Sequence, residues 1–301
     1  VHAETLPSFL NSNDTIRNLP VPNLPADAYR PVTPQTQLPE TPAAQAQPLL
    51  MDTKVTIRKL QIEGGTVYPL QEVAQVFEPL IGHETNLAQL IEATRSITRR
   101  YQQDGYLLSY AFLPDQRFEQ GLVRVVLVEG YIKDYQVQGD IGSVSGYVDK
   151  LAQKLQAERP LTRKTFERYT TLMGRIPGVT LQAQVPPPGT TDGAAHMNIQ
   201  ASRKPFTSSM SMTDDSRGGL QALIAGTSNS HTAMGEQVSL SGLFPPGEDK
   251  ERYYRLDYSQ FINAEGTQLS LYGARYRSDP STRIRLDGGF SLKPHRENDR
   301  F

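Results

Sequence analysis

Along this chain the spacing of apolar positions changes from helix-like to strictly alternating, and the changes mark its parts. Val55, Ile57, Leu60 and Ile62 read as a strand whose alternation slips by one residue at Lys59, as at a bulge. Val73, Val76, Phe77 and Leu80 then recur at i, i+3, i+4 and i+7, one face of a short helix that Gly82 ends. Asn86, with Gln89 three residues on, predicts an N-cap. Leu87, Leu90, Ile91, Thr94, Ile97 and Tyr101 carry one stripe from it to a stop at Gly105. Strands follow over residues 107–113 and 122–129, with Tyr106, Leu108, Tyr110 and Phe112 expected to pack on Leu90, Ile97 and Tyr101. The order is β-α-α-β-β.

That order recurs. Residues 132–138 read as a strand, and Tyr147, Val148, Leu151 and Leu155 form a helical stripe. Thr162 caps a second helix carrying Phe166, Tyr169, Met173 and Ile176, which Pro177-Gly178 terminates. Val179, Leu181, Ala183 and Val185 alternate as a strand, as do Met197, Ile199 and Ala201. A repeat of this kind predicts two small α+β modules in tandem.

After Lys204 the helical signals vanish. Residues 206–213, 220–227, 237–244, 253–261, 267–276 and 283–292 alternate between turn-rich breaks. Tyr254, Leu256 and Tyr258 oppose Arg255, Asp257 and Ser259, while Ile284 and Leu286 oppose Arg283, Arg285 and Asp287. Strands of about 9 to 11 residues with one apolar and one polar face suit a transmembrane β-barrel. A soluble β-sandwich shares the period. At the other end, Phe9, Leu10, Ile16 and Leu19 suggest one short helix, and residues 20–48 repeat proline among Ala, Gln and Thr, the composition of an extended linker. Val1-His2-Ala3 reads as the stub of a removed export signal. The expected divisions are an N-terminal segment 1–19, a linker 20–52, modules 53–131 and 132–204, and strands 205–301.

Composition narrows the chemistry. A formal charge of -1 over 301 residues gives no general attraction to a polyanion, and nucleic acid is not expected as a partner. Cysteine is absent, which removes disulfides and thiolate metal sites. No apolar run reaches the roughly 18 residues of a spanning helix. The histidines His2, His83, His196, His231 and His295 lack the spacing of a zinc helix, and no nucleophile elbow, Walker loop or dinucleotide glycine pattern occurs. Gly64-Gly65 and Gly218-Gly219 read as turns, and Asp214-Asp215 as a solvated hairpin tip. No enzyme, metal or cofactor is expected.

Two sites stand out instead. Glu129-Gly130-Tyr131 is a tight junction between the modules, with Glu129 read as a solvated strand end. Val179, Thr180, Leu181, Gln182, Ala183, Gln184 and Val185 form a strand suited to pair with another chain, and Pro186 to Pro188, which have no N–H, confine pairing to it.

In residues 99–132, "RRYQQDGYLLSYAFLP" and "GLVRVVLVEGYI" resemble the first of the two periplasmic POTRA domains of two-partner secretion outer-membrane transporters, the TpsB type. "TFERYTTLMGRIPGVTLQAQVPP" is similar to the second domain's helix, Pro-Gly stop and strand. The resemblance implies tandem α+β POTRA modules followed by antiparallel strands of a sixteen-stranded barrel, with about six covered. It implies a plug helix at the N-terminus, no use of nucleotide, and a secreted exoprotein partner, haemagglutinin- or haemolysin-like with an N-terminal secretion domain. It also implies contact with outer-membrane lipid, and location in the outer membrane of a Gram-negative bacterium with the POTRA domains in the periplasm. The Val-Arg-Gly-Tyr loop motif of the family is not in this sequence, and six strands would leave open edges in lipid, so the chain reads as a fragment. Alternatives are an outer-membrane protein assembly factor and a soluble β-rich adhesin or scaffold.

Overall fold

The computed structural model describes residues 51–215, 219–245, 252–278, 284–286, 290–292 and 296–300. Expectations for residues 1–50, Gly218, Arg283 and Asp287 lie outside these. The described chain divides into two compact units between Arg203 and Lys204.

In the first unit, β1 (Lys54–Thr56) pairs antiparallel with β3 (Glu84–Asn86), whereas β2 (Lys59–Glu63) pairs parallel with β5 (Leu122–Val128). The slip at Lys59 is therefore a change of sheet, anchored where Arg58 N donates to Gly121 O at 2.8 Å. The expected first helix is broken into α1 (Leu70–Gln75) and a 3-10 turn over Glu78–Leu80 that contains Pro79, a residue with no N–H to continue the ladder. Val73 and Phe77 are buried all the same.

Helix α2 (Leu87–Gln103) begins with the expected capping box between Asn86 and Gln89. It ends at Gly105, whose φ of 90° allows Tyr106 N to reach back to Tyr101 O and Gly105 N to Gln102 O. A turn over residues 106–109 then shortens β4 to Tyr110–Phe112 and resets its alternation. In consequence Ala111 and Leu113, rather than Tyr110 and Phe112, join Leu90, Ile97 and Tyr101 in the core. Tyr110 and Phe112 lie with Val126 and Val128 in a separate cluster. β5 is the central strand of the order β2-β5-β4, and its almost unbroken apolar run reflects burial on both faces.

The second module repeats this topology. β6 (Tyr131–Gln138), α3 (Ser145–Gln156), α4 (Arg163–Gly174), β7 (Val179–Gln184) and β8 (Ala194–Arg203) follow in order. The sheet order is β6-β8-β7, first strand parallel to last and middle strand antiparallel to last, as in the first module. Thr162 accepts from Thr165 N at the start of α4. Tyr147, Val148, Leu151 and Leu155 from α3 and Phe166, Tyr169 and Met173 from α4 are buried, as their spacing predicts.

In the other unit β9 (Phe206–Asp215), β10 (Gly219–Asn229), β11 (Gln237–Phe244), β12 (Arg252–Phe261) and β13 (Gln268–Ser278) form an antiparallel meander. The sixth expected strand is instead a hairpin of β14 (Ile284–Leu286) and β15 (Phe290–Leu292), and β16 (Arg296–Arg300) pairs with β13 to complete a six-stranded sheet. Leu240, Tyr254 and Leu256 are 59%, 58% and 52% exposed, whereas Thr227, Ser239 and Ser241 are buried. Arg255 and Asp257 pair at 2.8 Å on the buried side. The same side also buries a small apolar cluster of Leu223, Tyr253 and Tyr276, so it is the exposed apolar face that departs from a water-soluble sheet, which is polar outward.

Candidate functional site

The junction is built around a carboxylate. Glu129, at the end of β5, accepts from Thr66 N (2.7 Å), Thr66 Oγ1 (2.5 Å), Val67 N (2.8 Å) and Tyr101 Oη (3.0 Å). It is not the solvated strand end that its position suggests, because it closes the loop before α1 onto β5 and α2. Gly64-Gly65 makes this possible: both adopt positive φ, and a Cβ on Gly64 would fall 2.4 Å from Leu127 O. Partial burial alone would raise the Glu129 carboxyl, but the Thr66 hydroxyl, the amides of Val67 and Thr66 and the Tyr101 hydroxyl hold it below its usual range. Burial, and after it the Glu129 charge, pushes the Tyr101 phenol upward.

Gly130 is needed for closeness, since an added Cβ would meet Leu108 Cβ and O at 2.4 Å. Its N–H donates to the buried Ser109 Oγ at 3.2 Å, and its carbonyl accepts from Leu161 N of the second module at 2.9 Å. Tyr131 N donates to Gly193 O at 2.9 Å, and the Arg159 guanidinium lies 3.8 Å from the centre of the Tyr131 ring. Two contacts that the sequence did not signal tie the modules further. Arg163 N donates to Gly105 O at 2.6 Å, and the Tyr110 hydroxyl donates to the buried Pro188 carbonyl at 3.0 Å. The proline triplet therefore docks the second module on the first, besides ending the strand before it.

The strand singled out for partner binding is β7, an edge strand with β8 as its one neighbour. Val179, Leu181, Ala183 and Val185 are buried, while Thr180, Gln182 and Gln184 are exposed. Two other edges of the modules, β4 and β6, are each capped at one residue by a side chain. On β4, Thr98 Oγ1 accepts from Ala111 N at 3.0 Å and faces Ala111 O at 3.3 Å, and on β6 Gln156 Nε2 caps Lys133 O at 2.8 Å. Among the described residues no side chain caps the backbone of β7. Glu129–Tyr131 and β7 belong to one unit, the first at the junction of the modules and the second at a sheet edge.

Residues 55–130 match the POTRA domain family of the ShlB type. They form a POTRA domain. The second POTRA-like module follows from its repeated topology. The heme/hemopexin transporter protein HuxB of Haemophilus influenzae (strain 86-028NP) is 26% identical over 207 residues, 66% of this chain and 36% of its own. The outer membrane transporter CdiB of Escherichia coli O6:K15:H31 (strain 536 / UPEC) is 22% identical over 166 residues, 55% of this chain and 27% of its own. The solved structure of CdiB from Escherichia coli shares the fold over 85% of this chain and 47% of that one, with a TM-score of 0.57 and 19% identity. The chain thus spans 36% or less of the length of these two curated relatives. A POTRA domain, a second module of the same topology and an antiparallel sheet with the fold of the corresponding part of CdiB are its architecture.

Proposed function

We propose that this chain supplies the periplasmic receptor region and the first barrel strands of an outer-membrane transporter of a Gram-negative bacterium, one that captures an unfolded partner exoprotein and passes it through its pore. Residues 53–131 and 132–204 are the capturing modules, 205–301 enter the membrane, and 20–52 are a linker. The observation that carries this reading is a sheet with its apolar face exposed, in the same chain as two modules of POTRA topology. Charge on a lipid face costs ~2 to 4 kcal/mol at mid-bilayer, so placing Tyr254 and Leu256 outward and Arg255 and Asp257 inward suits lipid and would suit water poorly.

Capture takes place on the open edge of β7. An unfolded chain offers unpaired amides, an edge strand offers the complement, and main-chain pairing supplies affinity with little demand on cargo sequence. The test is export of the partner exoprotein from cells carrying Leu181→Pro and Ala183→Pro together. Export falls sharply while the transporter still folds and reaches the outer membrane; unchanged export by a folded double variant retires the β7 site.

A further inference from the structure

The exposed face of the second module's sheet carries a chemistry of its own. Its outward positions include Gln136 and Gln138 on β6, Asn198 and Gln200 on β8, and Gln182 and Gln184 on β7, all exposed. Register lines them up in two rows across the sheet, Gln138–Gln200–Gln182 and Gln136–Asn198–Gln184. Thr180 opposite Ser202 adds an uncharged pair beside them. No charge interrupts these rows, although charged residues make up 21% of the chain. The module's helices show the opposite, with Lys150, Lys154, Arg163, Lys164 and Arg168 exposed. Asp134 and His196, which pair with each other, sit in the next row, toward the end where Pro186 stops β7.

We infer that this carboxamide face selects what β7 can pair with: an extended partner segment in which Asn, Gln, Ser or Thr alternates with small aliphatic residues, and not a charged one. The inference rests on the β7 reading of the preceding section. A strand added to β7 becomes the fourth of the sheet, so every second side chain continues the two rows. A carboxamide both donates and accepts, and a hydroxyl does the same, so each such residue finds partners whichever way the row is oriented. Stacked amide side chains across neighbouring strands form ladders of this kind. The intervening residues turn to the side of Val179, Leu181 and Ala183, which is buried and apolar. A lysine or glutamate in the row would lose hydration against amides with no opposite charge to meet it.

Fluorescence anisotropy with the full chain tests this, using a labelled peptide that alternates Thr or Asn with Val and two versions in which the polar positions are all Glu or all Lys. The neutral peptide is expected to bind about tenfold tighter than either charged one, and Gln182→Glu with Gln200→Glu to weaken it by a similar factor while improving the Lys version. Both positions are exposed, so circular dichroism of the double variant should match the parent. Equal affinity for neutral and charged peptides overturns the inference. Binding lost with Leu181→Pro but unmoved by the Gln→Glu pair keeps the edge and overturns the amide selectivity. Binding weakened by the Gln→Glu pair but unmoved by Leu181→Pro overturns the edge reading, with the segment lying across the face. No binding of any peptide overturns both.

Discussion

Ionised Glu129 receives four donors, and protonation would set an O–H against them. Because the native carboxyl titrates below its ordinary value of 4.5, its stabilisation is fully present above that pH and is lost as the pH falls through the lower native value. Glu129→Gln keeps the shape but replaces a charged acceptor of four hydrogen bonds by a neutral amide, whose NH2 must reverse the bond with the Thr66 hydroxyl, so it should cost about 1 to 3 kcal/mol in denaturant unfolding at neutral pH. The same variant should also lose part of the parent's acid sensitivity; an unchanged pH profile would show that Glu129 does not carry it. None of this was legible in the sequence, because the donors at Thr66 and Val67 stand 63 and 62 residues away. The caps were legible because they are local: Asn86 with Gln89, Gly105, and Thr162 all act within a turn of their own position.

Edge strands show the same division between local and distant causes. The strands themselves follow from alternation, yet their closure depends on residues from elsewhere, as when Thr98 of α2 satisfies both backbone groups of Ala111 on β4. Thr98→Val removes the hydroxyl while keeping the branched shape. It should cost about 1 kcal/mol and speed hydrogen exchange at Ala111 relative to Leu127 on the same sheet. Exchange unchanged at Ala111 would mean that solvent already serves the edge. β4 also shows why alternation alone misplaced a face: the turn over residues 106–109 shifts the count by one, and a one-residue slip reverses every side chain. β16 escaped notice for a different reason, since Arg-Glu-Asn-Asp-Arg contains no apolar residue to reveal a period.

For the molecule as a whole, the absence of cysteine makes the two faces of the barrel-type sheet directly accessible to labelling. Leu240→Cys, on the exposed apolar face, should resist a water-borne maleimide when the protein is in a bilayer and react readily once it is solubilised in the absence of lipid. Ser241→Cys, one residue on and buried on the opposite face, should not show that lipid dependence. Equal reactivity of Leu240→Cys in both settings would return the strands to a soluble sandwich.

Gly105 ends a helix in the first module and, through its carbonyl, receives the first amide of α4 in the second. One peptide group is thus both a terminus and a starting point. In an array of repeats, stability is a sum of what each unit has alone and what each boundary adds, and here the boundary term includes an amide that would otherwise have no helical acceptor. Melting the first module would strip α4 of that acceptor, and melting the second would leave the Gly105 carbonyl bare, so the loss of either is felt as a loss of order in the other. The pair is in this respect less like beads on a string than like a two-letter word, each letter sharing part of its stability with the other.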